Sequence, residues 1–119
     1  MKVAGLGFRA RATVASLENA LQKAEAQGGA VEALATPISK SGAACLNALA
    51  RARNVKVRFV EVAGITTPTQ SPKVLDAFGT GSVAEAAALA CAGPDAHMLV
   101  PRVTSDDGCA TAAIAESPS

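Results

Sequence analysis

Short apolar segments alternate with stretches of helical periodicity through the first half of this chain. A compact apolar run is typical of a buried strand, whereas apolar residues three or four positions apart mark one face of a helix. The glycine pair Gly28-Gly29 ends the first helical stretch. The predicted elements are strands at residues 1–6 and 30–35 and helices at 13–27 and from Cys45 to about Asn54. Two successive strand–helix units favour a parallel sheet.

One strand, two helices and a hairpin are predicted in the second half. Residues 55–62 alternate apolar and charged side chains, a pattern typical of a strand near a sheet edge. Residues 64–70 are polar and predict a surface loop. The remaining predicted elements are a helix that starts at Ser71-Pro72 and stops at Gly79, a helix from Ser82 to about Ala92, and a hairpin of strands 98–103 and 109–115.

These elements predict an α/β fold, a single three-layer domain in which a mostly parallel sheet is flanked by helices and closes with a C-terminal β-hairpin. We expect the domain to span residues 1–116 and residues 117–119 to fray. The chain has 119 residues, of which 50% are hydrophobic and 18% charged, so it is long and apolar enough to bury a core. Aromatic residues are only 3%, which leaves Ala, Val, Leu and Ile to fill that core around Phe8, Phe59 and Phe78.

Charge, cysteine usage and hydropathy argue against several classes of protein. A net charge of +1, without a basic tract rich in aromatics, disfavours a nucleic-acid partner. No apolar run approaches the length of a membrane span, and we expect a cytoplasmic protein. Cys45, Cys91 and Cys109 are odd in number and widely spaced, which favours reduced, mostly buried thiols. The single histidine, His97, lacks ligands at metal spacing, so neither a metal site nor a cofactor is predicted.

The segment Gly5-Leu6-Gly7-Phe8-Arg9-Ala10 lies between the first strand and the first helix, where dinucleotide-binding folds hold an anion. Ala10 replaces the third glycine of that pattern, and no acidic residue closes the second strand, so an ordinary dinucleotide site is disfavoured. What remains is a carboxylate or phosphate site formed by backbone N–H groups and the guanidinium groups of Arg9 and Arg11. The alternative is that both arginines are solvated side chains on a tight turn.

Thr36 and Lys40 fall in the turn after the second predicted strand, on the same rim of the sheet as Arg9. Ligands of open α/β sheets collect at that rim. Lys40 is therefore a candidate for pairing with a ligand carboxylate or, if desolvated, for acid–base chemistry. The alternative is an ordinary hydrated lysine.

The run from Gly79 to Glu85 places a glycine turn directly before a helix start. Ser82 suits the N-cap and Glu85 stands three residues on, which predicts a capping box. Free backbone N–H groups at a helix start bind anions, and Gly79, Thr80 and Gly81 would let a ligand approach the backbone. Glu85 is then a candidate acid–base group, although a capping box alone explains Ser82 and Glu85.

Taken together, these segments resemble the CobE/CbiG C-terminal family of cobalamin biosynthesis. The resemblance covers essentially the whole chain, and its most specific part is the glycine-serine-glutamate run with its trailing alanines. The segments that carry it are Gly5 to Arg9, Ala35-Thr36 with Lys40, Gly79 to Leu89, Leu99 to Arg102, and Ala110 to Ala115.

The resemblance implies a compact α/β domain that works in construction of the corrin ring. Within the family, CbiG-type proteins are cobalt-precorrin-5A hydrolases that open a ring lactone and release acetaldehyde, whereas CobE-type proteins stand alone. Met1 directly precedes the first strand, so the chain is similar to the CobE type. The implied partners are a corrinoid or precorrin, bound through its carboxylate arms, and other enzymes of the pathway.

Three functions are compatible with these residues and with the resemblance. The leading one is binding of a precorrin intermediate at the rim formed by residues 5–11, 36–40 and 79–85. The first alternative is a hydrolase acting on the macrocycle with Glu85 or Lys40 as the acid–base group. The second is a non-catalytic carrier or interaction module that passes intermediates between pathway enzymes.

Overall fold

Five strands form one mixed sheet with the first strand of the chain at its centre. The computed structural model describes residues 1–40 and 42–118, with the backbone alone for residues 76–78. The strands are β1 (Lys2–Phe8), β2 (Ala33–Pro37), β3 (Lys56–Val60), β4 (His97–Thr104) and β5 (Ala110–Glu116), and the helices are α1 (Val14–Gly28), α2 (Ala44–Arg53), α3 (Pro72–Phe78) and α4 (Val83–Ala92). The strand order is β3-β2-β1-β5-β4. The first three strands run parallel, whereas β5 is antiparallel to both β1 and β4.

Helices cover both faces of the sheet, which gives three layers. On one face, α1 and α2 share a core with β1, β2 and β5; on the other, α4 packs across the same strands. Alternation along β1 sends Ala4 and Leu6 to the first face and Val3 to the second. The predicted α/β fold, its flanking helices and its C-terminal hairpin are confirmed.

The cores on the two faces of the sheet differ in amino-acid composition. The core under α1 and α2 is rich in leucine, and the core under α4 is built from alanine and valine. Phe59 was predicted to fill the core but is 39% exposed, because it lies on β3 at the sheet edge, where helix cover ends. Phe8 is half-buried. The side chain of Phe78, a third predicted core aromatic, lies outside the described residues.

The predicted elements are present with shifted bounds. The first strand continues through Gly7 to Phe8, so the two glycines assigned to a turn lie inside β1. A 3₁₀ turn at Ile38–Lys40 follows β2. Ser117, which was expected to fray, accepts a bond from the amino group of Met1 and donates its backbone N–H to the Met1 carbonyl. Ser119 lies outside the described residues.

The hairpin strand β4 carries two irregularities that matter for the site. It pairs with β5 at Met98, Val100 and Val103. The register shifts between Met98 and Val100 and again between Val100 and Val103. Such bulges bend a strand and re-aim its side chains.

Among the described residues, no helix combines the length and the apolar character needed to cross a bilayer.

Candidate ligand-binding site

The turn that precedes α4 is occupied by the protein itself. A Cβ atom on Gly81 would lie 2.5 Å from the Thr69 carbonyl oxygen, so the preceding loop fills the space that the sequence assigned to a ligand. Gly79 adopts a φ of +72° to end α3, beside Ala63. Thr80 is buried and donates its hydroxyl to the Ile65 carbonyl. Thr80 and Gly81 are buried against the loop of residues 61–71, whereas Gly79 is exposed beside it.

The predicted capping box at α4 forms only in part. The Ser82 hydroxyl accepts the Glu85 backbone N–H at 3.4 Å, as expected of an N-cap. The Glu85 carboxylate does not return to its own helix start. Its two oxygens accept the backbone N–H and hydroxyl of Thr69 and the backbone N–H of Arg102, at 2.8, 3.0 and 2.8 Å. Glu85 is fully buried, and its carboxylate joins the loop to β4.

Two further residues from the predicted rim are packed inside the fold. Gly5 faces α4, where a Cβ atom would overlap the Ala84 carbonyl oxygen. Thr36 is fully buried and donates its hydroxyl to the Leu6 carbonyl at 3.0 Å, across the β1–β2 pair. Both residues hold strands and helices together at positions without solvent access.

A cavity of about 360 Å³ opens at the end of β1, beside the β4–β5 turn. Its volume lies in the range of sites that bind small molecules. Of the predicted site residues it includes Gly7, Phe8, Arg9 and Lys40. The other lining residues are Ser71, Lys73, Val74, Val83, Arg102, Thr104, Gly108, Cys109, Ala110 and Thr111.

The cavity is basic. Four cationic side chains line it, namely Arg9, Lys40, Lys73 and Arg102, and no acidic side chain among the described residues does so. None of the four forms an ion pair with a described carboxylate. Phe8, Val74 and Val83 add apolar surface to the lining. The arrangement suits a ligand that carries several carboxylates on a hydrophobic body.

Each cation reaches the cavity from a different part of the chain. Arg9 follows β1, and its backbone N–H donates to the Cys109 carbonyl at 2.9 Å. Lys40 ends the 3₁₀ turn, with its ammonium group 5.1 Å from the centre of the Phe8 ring. Lys73 lies in the first turn of α3, and Arg102 lies in the irregular part of β4.

A second cavity of about 400 Å³ adjoins the first and shares Phe8, Arg9 and Lys40 with it. Small residues at the start of α2, including Ala43 and Ala44, line its other side. Phe8, Arg9 and Lys40 therefore border both cavities. Within the described residues, no group of three or more His, Cys, Asp or Glu side chains is arranged to hold a metal ion.

Lys73 and Arg102 line the cavity although the sequence pattern does not predict them there. Nothing local distinguishes these two cations from solvated ones, because they join Arg9 only through the sheet order and the path of the loop before α3. Arg102 follows Pro101 in an edge strand, and a proline at that place is a signal for a bulge.

Comparisons with known proteins agree with the resemblance seen in the sequence. Residues 2–115 match the family model described as cobalamin synthesis G C-terminus. The structure of CobE, described as a protein from the cobalamin (vitamin B12) biosynthetic pathway, is similar with a TM-score of 0.81 and 28% identity over 97% of this chain and 89% of that one. The cobalamin biosynthesis protein chiG from Agrobacterium tumefaciens str. C58 is similar with a TM-score of 0.76 and 34% identity over the whole of both chains.

No curated protein sequence matches the chain significantly. The family match spans nearly every residue of the domain, from the start of β1 almost to the end of β5, and both structural relatives reproduce the fold over nearly the full chain. The chain therefore belongs to the CobE/CbiG C-terminal family of cobalamin biosynthesis proteins.

Proposed function

We propose that this protein binds a precorrin or corrinoid intermediate of cobalamin biosynthesis through the carboxylate arms of the macrocycle. The observation that carries the proposal is the convergence of Arg9, Lys40, Lys73 and Arg102 on one cavity that no described acidic side chain lines. Family membership supplies the pathway. The cavity supplies the chemistry, since precorrins carry many carboxylates around an apolar ring.

Several weak contacts must act together in such a site. An exposed ion pair contributes roughly 0.2 to 1 kcal/mol, and a charge-assisted hydrogen bond contributes more when it is partly shielded from water. Four cations spread around one opening can engage different arms of the same ligand. Affinity is then expected to rise with the number of carboxylates and to fall as salt screens the charges.

The hydrolase alternative has one candidate group at the cavity. Lys40 lines it, whereas the Glu85 carboxylate is buried and accepts three hydrogen bonds from the protein. Binding is therefore the function that the geometry supports best. Mass spectrometry of a precorrin incubated with the protein tests for turnover, and a changed macrocycle that requires Lys40 would favour the hydrolase.

The carrier alternative makes a separate demand. A module that passes intermediates between enzymes must associate with one of them in the absence of ligand. Co-purification with a cobalamin-pathway enzyme from ligand-free material would support that role in addition to binding.

Titration with stable porphyrins tests the binding proposal. Uroporphyrin, coproporphyrin and mesoporphyrin share an aromatic ring but carry eight, four and two carboxylates. We expect the affinity, measured from porphyrin fluorescence, to follow that order. The Arg9→Ala/Arg102→Ala double variant should weaken uroporphyrin binding by about a hundredfold, at roughly 1.4 kcal/mol for each lost charge-assisted contact.

The matched control is Arg51→Ala/Lys56→Ala, which removes two positive charges from exposed positions at the end of α2 and the start of β3. This variant should bind uroporphyrin as the natural chain does. Equal weakening in both double variants would show that net charge alone attracts the porphyrin, and would reject the cavity as the site.

A further inference from the structure

We infer that Glu85 is a positioning residue for the basic cavity, and that it holds Arg102 and the loop leading to Lys73 in their places for an anionic ligand. The inference rests on the proposed function. It assigns to Glu85 a role that is neither acid–base chemistry nor capping of its own helix.

Glu85 occupies a buried position at the start of α4. The residue lies in the first turn of α4, is fully buried, and has both carboxylate oxygens engaged. Burying a carboxylate is costly unless hydrogen bonds compensate for the lost water. Three donors from two other segments do so here, all at 3.0 Å or less.

Arg102 lies at a bulge in β4 that Glu85 contacts. Three steps along β4, from Val100 to Val103, oppose only two along β5, from Ile114 to Ala112, so one extra residue stands in this part of β4. The Arg102 backbone N–H donates to Glu85 in the middle of this irregularity. Val100 and Val103 both pack toward the α1 face, and the Arg102 side chain lines the cavity. The bond to Glu85 therefore anchors the bulge that directs Arg102.

Glu85 also holds the loop that leads into α3. Glu85 accepts both the backbone N–H and the hydroxyl of Thr69. Two residues later, Ser71 donates its backbone N–H to Gly81 and accepts the backbone N–H of Leu75 as α3 begins. Lys73 lies in that first turn and lines the cavity. One buried carboxylate thus connects the two segments that carry Lys73 and Arg102 to the cavity.

Arg9 provides an internal comparison because its backbone is held differently. Its N–H donates to the Cys109 carbonyl, and Arg9 donates no hydrogen bond to the Glu85 carboxylate, whose described donors are Thr69 and Arg102. If Glu85 acts through Arg102 and Lys73, loss of Glu85 should disturb the contributions of those two residues and leave that of Arg9 intact.

Double-variant cycles on uroporphyrin affinity test the inference. Glu85→Gln replaces one acceptor oxygen by an amide NH₂ that faces donors, and should weaken binding by about tenfold. In an Arg102→Ala or a Lys73→Ala background the same change should cost about threefold or less, because part of what it disturbs is already gone. In an Arg9→Ala background it should again cost about tenfold. Additive effects in all three backgrounds, or unchanged affinity in Glu85→Gln, would overturn the inference.

Two further variants separate positioning from general loss of stability. Leu34→Ala creates a cavity in the core of the α1 face and should lower the melting temperature without changing affinity. Thr69→Val removes one donor to Glu85, and it takes the place of Glu85→Gln in the cycles if Glu85→Gln does not fold. It should weaken uroporphyrin binding by about threefold, with a smaller loss in the Arg102→Ala and Lys73→Ala backgrounds and the same loss in the Arg9→Ala background. If the natural chain does not bind uroporphyrin, the proposed function fails and the inference fails with it. If it binds and the cycles are additive, the inference alone fails.

Discussion

Gly5 on β1 lies so close to the Ala84 carbonyl of α4 that no side chain fits between them. Because glycine has no Cβ atom, either a ligand or a helix can approach its backbone closely. At Gly5 it is helix α4 that does so. This contact brings α4 down onto the centre of the sheet, and it places the Glu85 carboxylate within reach of both the loop and β4. The close packing of β1 and α4 is therefore part of how the fold builds its cavity.

Gly5→Ala should destabilise the protein by about 3 kcal/mol or more, because the new methyl group meets backbone that cannot rotate away. Gly7→Ala is the matched control two residues along the same strand. The nearest atom to its new Cβ is the Thr111 hydroxyl, the end of a side chain, at 2.9 Å. We expect a loss of about 1 kcal/mol there. Urea unfolding measures both, and equal losses would contradict the packing described for Gly5.

Arg53→Lys should cost about 1 kcal/mol despite keeping the charge. The Arg53 guanidinium binds both Glu18 oxygens, at 2.9 and 3.0 Å, and one Glu25 oxygen at 2.7 Å, joining α2 to α1. The hydrogen bonds from Arg53 also lower the pKa of Glu18. An ammonium group cannot reproduce that planar fork. Arg51→Lys, an exposed change in the last turn of α2, should leave the free energy of unfolding within about 0.5 kcal/mol of its original value.

Asp107→Asn should remove part of the acid sensitivity of the fold. The Ser105 hydroxyl, the Ser16 hydroxyl and the Cys109 backbone N–H all donate to the Asp107 carboxylate, and they lower its pKa from 3.8 to about 2. Because the folded-state pKa is lowered, the stabilisation is complete above the unfolded-state value near 4 and is lost as the pH falls through about 2.

The measurement for Asp107 is the free energy of unfolding at several pH values from 7 to about 2. The difference between the natural chain and Asp107→Asn should be constant in the upper range and shrink as the pH falls from 4 toward 2. A difference that is the same at every pH would show that these hydrogen bonds do not discriminate between the two protonation states of Asp107.

Salt should weaken uroporphyrin binding more strongly than it weakens mesoporphyrin binding. Both ligands have the same aromatic ring, but uroporphyrin carries eight carboxylates and mesoporphyrin two, so uroporphyrin can engage more of the four cations that line the cavity. Screening at physiological ionic strength acts over about 8 Å, so contacts at an open cavity are partly exposed to it. Fluorescence titrations at low and high salt decide the matter, and identical salt dependence for both porphyrins would argue for hydrophobic binding alone.

Most of the fold could be predicted from local sequence patterns. Helical spacing, such as that of Leu17 and Leu21, and capping residues at helix starts both act within a few positions of the chain. The place of β5 between β1 and β4 depends on pairing between distant segments, which periodicity does not encode. The site residues likewise divide into those that local patterns predict and those that depend on distant contacts. Arg9 and Lys40 follow two neighbouring parallel strands and could be predicted at the cavity from the strand–turn pattern.

The rest of the site depends on long-range packing. The sequence predicts ligand approach at Gly79 and Gly81 because a glycine turn before a helix has two structural uses, and only the path of residues 61–71 shows which one applies. Lys73 and Arg102 owe their positions to that same loop and to a bulge in β4. Both depend on where Glu85 finds its hydrogen-bond partners.

The most direct test of the basic cavity is a map of amide chemical shifts during uroporphyrin titration of the isotopically labelled protein. We predict that the perturbed amides cluster at Arg9, Lys40, Lys73, Arg102 and Thr111, around the opening. The amides of Lys56 and Arg58, on the edge strand β3, which contributes no described residue to the cavity lining, should not move. Perturbations centred on residues outside the cavity, or none at saturating uroporphyrin, would contradict the account.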